Sequence, residues 1–528
     1  MRSFHLPGRS TVHARGGMCA TSHPLAALNA IEVLRRGGNA VDAAVTASAV
    51  LCVAEPHMTG IGGDCFAMIA KADGTVIGLN ASGRAARAAD ADWLARSGLT
   101  EIDYFSVHAV TVPGAVDGWA RLLEAHGTIG LAEALAPAIK LAEEGVVVSP
   151  RVGNDWALKA DIPARDEGGR MHLLRDGKAP RVGQVHTFPA LARTLKVMAA
   201  QGPDAFYRGE LAEDMVACLQ AKGSLLTMDD FAATEATWVE PIRTSYGGAD
   251  VLEMPPSGQG ITALIILNIL KHFDHSGLDP MGPERFHILI EATRLAYEMR
   301  DRHVADPDMA DVPVERMLSA DLAATLAARI DPDRCLTDLA AAVDRHHSDT
   351  VYLTVVDEDR TAVSFINSLY RSFGVGIVTP KTGITLHDRG ACFVAKPGHP
   401  NCIGPGKRPL HTIIPAMMMR DGRAVMPFGV MGGAYQAMGH AHLVSNLLDY
   451  GLDIQEALDC PRAFYEKAQL EIEEGLPAAT VAGLKDRGHD MIPAENPLGG
   501  GQAIMIDWEQ GTLTGGSDPR KDGMALGY

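Results

Sequence analysis

The chain has 528 residues, of which 47% are hydrophobic and 21% charged, with a formal net charge of −18 at pH 7. That length exceeds what one hydrophobic core usually holds, so two lobes or one large layered fold is expected. The acidic balance argues against nucleic acid or an anionic membrane as partner.

The 8 cysteines are scattered without a CxxC pair, so neither a disulfide framework nor a zinc knuckle is suggested. Met1 to Gly8 has no apolar core of a signal peptide. The most apolar stretch, Ala43 to Ala54, is too short to span a bilayer. A cytoplasmic location is the expectation.

Pro24 to Arg36 reads as a helix, with Pro24 in the first turn, Leu25, Leu28, Ile31 and Leu34 on one face, and Gly37 as the stop. Asn39 can cap a second, Ala-rich helix from Ala40 to Val53, which Glu55-Pro56 ends. Gly60-Ile61-Gly62-Gly63 permits positive φ and close approach of other segments. No Lys-Ser/Thr follows it, so a phosphate loop is not indicated. Phe66 to Ile69 and Val76 to Leu79 read as a strand pair around Ala72-Asp73-Gly74. Helices are expected at Leu131–Glu144, Pro189–Ala200, Asp204–Ala221, Ile261–Phe273 and Pro283–His303. The Asp-, Ala- and His-rich stretch from Ile330 to Ser348 reads as an exposed connector. His346-His347 fits that connector better than a metal site, because no Cys or acid sits at ligand spacing.

At Thr350 the pattern changes abruptly. A strand begins, with Val351, Leu353 and Val355 on one face and Tyr352, Thr354 and Val356 on the other. Asp357 to Arg360 makes a turn, and Thr361 to Leu369 returns. Further strands are expected at Gly383–Leu386, Thr412–Met418, Ala424–Met426 and Ala503–Ile506, with helices near Ala434–Tyr450 and Ile454–Asp459. Helices early and strands late support an α+β class and no more. There is no internal repeat or clean linker.

Several segments together resemble the γ-glutamyltranspeptidase family. They are Gly37-Gly38-Asn39-Ala40-Val41-Asp42-Ala43, Pro56 to Asp64, Val112-Pro113-Gly114-Ala115-Val116 and Met254 to Gly260. They continue through His346 to Asp357, Lys407-Arg408-Pro409-Leu410, Gly429 to Gly433, and Ser517 to Tyr528. The resemblance implies a four-layer αββα sandwich of the N-terminal-nucleophile hydrolase type. It also implies self-cleavage between Asp349 and Thr350, giving a large chain (1–349) and a small chain (350–528) within one fold. Many members of the family are exported, so a cytoplasmic location departs from the commoner pattern.

A Thr hydroxyl is a weak nucleophile at neutral pH, and an adjacent amine can act as its general base. Cutting before Thr350 would create nucleophile and base on one residue, since a freed α-amine titrates near ~8. The resemblance assigns Gly432-Gly433 as backbone donors to the oxyanion. Ser368 stands where the family usually has a Thr bonded to the nucleophile, and it keeps the hydroxyl. His57 reads as a structural histidine.

The substrate pocket departs from the family pattern. Ser82 lies near the place of the Arg that holds the α-carboxylate of a γ-glutamyl group, with Arg84 two positions on. Cys392 falls where an acid should meet the α-ammonium, and a thiol cannot replace it. Tyr370 replaces an Asn, and His411-Thr412 replaces a Ser-Ser pair. Arg389, in the same segment, can take a carboxylate in a bidentate fork, or can be a surface Arg or an internal partner of Asp388.

The expected substrate is therefore a small amide whose acyl part bears a carboxylate but no α-ammonium, such as oxamate or a dicarboxylic monoamide. Arg389, His411, Thr412, Tyr370 and Arg84 are its candidate contacts, and water or an amine is the acceptor. Neither metal nor other cofactor is implied, and a homo-oligomer is compatible. The alternatives are γ-glutamyl transfer or hydrolysis with glutathione as donor, and a catalytically silent binding relative.

Overall fold

In a computed structural model of the chain, residues 5, 8–337, 339, 350–466 and 469–528 are described. The expected cut after Asp349, with Asp349 itself and His346-His347, lies outside the described residues.

The strand Val351–Val356 pairs antiparallel with Met18–Thr21 on one side and Ala362–Ser368 on the other. Its sheet runs Met524–Gly527, Met18–Thr21, Val351–Val356, Ala362–Ser368, Asp64–Ala70, Val76–Ala81, Thr237–Val239. A second sheet runs Val12–Ala14, Thr512–Ser517, Gly500–Asp507, Arg423–Met431, Ala416–Arg420, Ala249–Glu253, Ile242–Tyr246. Every neighbouring pair in both sheets is antiparallel.

The sheets pack face to face, with Val351–Val356 and Ala362–Ser368 lying on Arg423–Met431. This explains why all six residues of Val351–Val356 are buried. One face meets the helix Ala40–Ala54 and the other meets the second sheet. Tyr352 and Ser364, on neighbouring strands of the first sheet, share a 2.7 Å hydrogen bond, and Ser364 Oγ donates across to Phe428 O of the second sheet at 3.2 Å.

Helices cover both outer faces. Pro24–Arg35, Ala40–Ala54 and Leu131–Glu144 belong to the core on the first sheet, and Gly260–Leu270, Pro283–His303 and Gln436–Leu448 to the core on the second. The result is the expected four-layer αββα sandwich. Every residue of Ala40–Ala54 is buried, which its small side chains allow. Asn39 accepts from Val41 N and Asp42 N, while Asp42 bonds back to the Asn39 amide. Such a reciprocal cap is worth about 1 kcal/mol.

Each sheet draws strands from both sides of position 350, so the division into early helices and late strands does not hold. The short strands Val12–Ala14, Met18–Thr21 and Ile242–Tyr246 gave too little alternation to be read. Gly383–Leu386 forms no strand, only an isolated bridge between Val378 and Thr385. Asp204–Ala221 splits into Asp204–Tyr207 and Glu210–Gln220, because Gly209 between them is extended.

Candidate active site

Thr350 stands one residue before its strand and is fully buried. Its Oγ1 lies 3.0 Å from Ser368 Oγ, the hydroxyl expected beside it. The pairing of Val351 with Asn367 dictates this, since one more step sets Thr350 opposite Ser368. Tyr370 N donates to Ser368 Oγ at 2.8 Å and so orients that hydroxyl.

The strand Arg423–Met431 delivers Gly432-Gly433 to the same place, and Gly432 lines the cavity that Thr350 lines. Gly432 has φ +123°, and a Cβ there would lie 2.8 Å from Gly499 Cα, so both its conformation and its surroundings demand glycine. Gln259 Nε2 donates to Gly433 O and to Thr412 O, each at 2.9 Å. Arg300 in turn donates to Gln259 Oε1 at 2.8 Å, so a buried relay holds the glycine corner to the segment carrying His411-Thr412. Sequence reading quoted Gln259 inside a motif but gave it no role. Its signal was a Gln among turn residues, which alone indicates nothing.

Asp64 was likewise quoted without a role. It sits opposite Ser368 in register. Its Oδ1 accepts from the amides of Gly83 and Gly114, each at 3.0 Å, and its Oδ2 lies 3.1 Å from His411 Nε2 and 3.5 Å from His387 Nδ1. Burial alone would raise its pKa, but His387, His411 and Arg389 outweigh burial and hold it at about 2. His411 is pushed down to about 3, first by burial and then by the charge of Arg389. At neutral pH this pair is a carboxylate accepting from a neutral imidazole, which fixes His411 in place. The Pro56–Asp64 glycines serve close approach: none of Gly60, Gly62 and Gly63 has positive φ, and a Cβ on Gly63 would lie 2.3 Å from Ser368 O.

Arg389 is fully buried. One guanidinium nitrogen donates to Thr412 Oγ1 at 2.8 Å, and the Tyr370 ring covers the group at 4.1 Å. Nε and the second terminal nitrogen have no hydrogen-bond partner. Among the described residues no carboxylate forms an ion pair with it, Asp388 included. A buried cation left this way costs several kcal/mol. Arg84 is different: its guanidinium reaches Asp308 at 3.1 Å, Asp306 at 3.4 Å and Gly406 O at 3.0 Å. The structure thus brings Arg389, Thr412 and Tyr370 together, joined through Ser368 to Thr350, and leaves Arg84 engaged elsewhere.

Asp388 Oδ1 accepts from Arg371 N at 3.1 Å, while its Oδ2 is buried without a partner. Burial raises its pKa from 3.8 to about 7, against the opposing pull of Arg371 and Arg389. An acid raised on folding stabilises the fold while protonated in both states and loses that advantage as pH climbs from 3.8 to about 7. Asp388→Asn is therefore expected to raise the melting temperature at pH 8 and leave it nearly unchanged at pH 4. Thermal denaturation at both pH values checks this, and equal shifts at the two would contradict it.

His57 is buried 3.7 Å from Asp155, in keeping with a structural role. Among the described residues, His287, Glu291 and His489 form a cluster with metal-ligand spacing. Their atoms are already engaged: His287 and His489 share a 2.8 Å hydrogen bond, His287 Nε2 meets Asp331 O, and Tyr465 meets His489 Nδ1.

A buried Thr at the head of a central strand, a paired-glycine corner beside it and two sheets between helical layers are features of the N-terminal-nucleophile hydrolase fold. The profile of the family described as Gamma-glutamyltranspeptidase matches residues 26–528, and the chain belongs to that family. It is 37% identical over 521 residues to the Glutathione hydrolase-like YwrD proenzyme of Bacillus subtilis, covering 97% of this chain and 98% of that one. It is 35% identical over 530 residues to the Oxamate amidohydrolase proenzyme of Klebsiella pneumoniae, covering 97% and 98%. Its fold matches the crystal structure of cephalosporin acylase from Bacillus halodurans with a TM-score of 0.93 and 38% identity, over 100% of this chain and 99% of that one. The first two relatives are named as proenzymes, which implies that each is made as a precursor, and the third is named as an acylase. No helix among the described residues is long and apolar enough to cross a membrane.

Proposed function

We propose that this chain is a self-processing amidohydrolase that cleaves small amides whose acyl part bears a carboxylate, through an acyl ester on Thr350. In processing, Thr350 Oγ1 attacks the Asp349 carbonyl, and the amide becomes an ester as the Thr350 nitrogen takes the proton. Water then splits the ester and frees a large chain (1–349) and a small chain (350–528). In turnover, the new α-amine takes the Oγ1 proton, the hydroxyl attacks the substrate carbonyl, and the amine leaves with that proton. Water or an amine then accepts the acyl group. Ser368 orients Oγ1 at 3.0 Å, and the N–H groups of Gly432-Gly433 receive the oxyanion.

One observation carries the substrate class: Arg389 is buried with two guanidinium nitrogens unpaired, and the family resemblance puts Cys392 where an ammonium would need an acid. A carboxylate on the acyl group would satisfy the Arg389 fork. Thr412, His411 and Tyr370 complete that wall. A true γ-glutamyl substrate has one observation in its favour, the unpartnered Oδ2 of Asp388, which could meet an ammonium once ionised. Parallel turnover of oxamate, a glutaryl anilide and a γ-glutamyl anilide separates the readings. Faster turnover of the first two is expected, and preference for the γ-glutamyl anilide would overturn the assignment.

A further inference from the structure

None of His287, Glu291 and His489 lines the cavity beside Thr350, and none is more than 3% exposed. Local chain geometry brings them together. His287 and Glu291 stand four residues apart on the helix Pro283–His303, so both project from one face. The helix Ala478–Asp486 packs on that helix, closely enough that a Cβ on Gly483 would lie 2.6 Å from Pro283 Cβ. Its end is closed by Gly488 at φ +91°, with Gly488 N donating to Lys485 O at 2.9 Å and His489 N donating to Leu484 O at 3.2 Å. This glycine-terminated cap fixes His489 against the neighbouring helix. One ligand atom from each of the three residues then lies within 4.8 Å of the others.

The bonds these side chains already make are the kind a metal site keeps in its outer layer. Asp331 O can only accept, so His287 Nε2 carries the proton in their 2.8 Å bond, and in the neutral ring Nδ1 presents a bare lone pair. That lone pair faces His489 Nε2 at 2.8 Å, and the other His489 nitrogen meets the Tyr465 hydroxyl at 3.1 Å. Glu291 accepts one bond on each oxygen, from Arg294 at 2.7 Å and from Leu336 N at 2.8 Å, and each oxygen keeps a second lone pair. A tetrahedral ion holds two imidazole nitrogens about 3.3 Å apart. Opening the His287–His489 contact by about 0.5 Å, with the His489 proton moved to Nδ1 to donate to Tyr465, admits an ion while every outer bond survives.

We propose that His287, Glu291 and His489 bind a divalent transition metal, zinc by the match to two imidazoles and one carboxylate, with water in a fourth position. His287 and Glu291 precede position 350, and His489 follows it. The metal would fasten the segment that enters the proposed cut, whose Leu336 amide rests on Glu291, to the far part of the chain. Metal binding itself does not depend on the cut.

The test titrates the full-length protein, stripped with a chelator, with zinc(II) by calorimetry. The wild type is expected to take up one equivalent with a Kd of about 1 μM or below. His489→Gln and Glu291→Gln should each weaken that binding by about 100-fold or more, and Tyr465→Phe, which leaves all three ligands in place, by about 10- to 100-fold. Zinc should raise the melting temperature of the wild type and not that of His489→Gln. The chain has 20 histidines, so the loss in these variants is what marks the site. Should a ligand variant fail to fold, Tyr465→Phe carries the test. No stoichiometric uptake by the wild type, or unchanged affinity in the variants, would overturn the proposal and leave the cluster as a hydrogen-bonded core.

Discussion

A Thr350→Ala chain is expected to remain in one piece and to lose amide turnover by about 10⁴-fold or more. The loss has two sources that reinforce each other. Alanine removes the oxygen that attacks the Asp349 carbonyl, so no amine is released. It also removes the oxygen that would carry the acyl group. Fold is not the cause, because the neighbouring strand is anchored on both sides by Met18–Thr21 and Ala362–Ser368. Thr350→Ser keeps the hydroxyl next to Ser368 and should still be cut, more slowly. Denaturing electrophoresis, with N-terminal sequencing of the smaller product, reads both results. Two fragments from the alanine variant would remove Thr350 from the mechanism.

Arg389→Leu is expected to lower kcat/KM for a glutaryl anilide by about 30-fold to several thousand-fold, the cost of leaving a buried charge without its partner. Self-cleavage should survive, since the Asp349–Thr350 bond needs no bound carboxylate. The same change should raise the melting temperature of the ligand-free protein. An unpaired guanidinium is removed from a fully buried position, and His411 is relieved of a charge that depresses its pKa. Activity and stability moving in opposite directions mark a group kept for its ligand. A variant that lost both together would show Arg389 to be a structural cation. Kinetics on glutaryl and pentanoyl anilides, with a melting curve for each protein, distinguish these outcomes.

Much of this was legible in the sequence where a local rule governs. Pro24, Asn39 and Gly37 bracket two helices because first-turn proline, side-chain capping and a glycine stop act within a few residues. The strand Val351–Val356 and the helix Ile454–Asp459 came out with their observed bounds for similar reasons. Ser368 was reached through the family resemblance, and the pairing of Val351 with Asn367 sets it beside Thr350. What stayed hidden depends on contacts distant in sequence. Gln259 gains meaning only when Gly433, Thr412 and Arg300 surround it, and Asp64 only when His387 and His411 arrive. Arg84 and Arg389 looked equivalent on paper. The carboxylates that occupy the first, Asp306 and Asp308, lie more than two hundred positions away along the chain.

The alternation of strands from either side of position 350 has a consequence for how the processed protein ends. If the chain is cut before Thr350 as proposed, the two pieces stay zipped by the backbone bonds of Val351–Val356 to Met18–Thr21 and of Ala362–Ser368 to Asp64–Ala70, so dilution does not part them. Melting does, and the reverse path then requires two separate polymers to meet and interleave, a second-order event in competition with aggregation. The uncut precursor can refold from one molecule; the mature enzyme is assembled once and, after heat, is not expected to return.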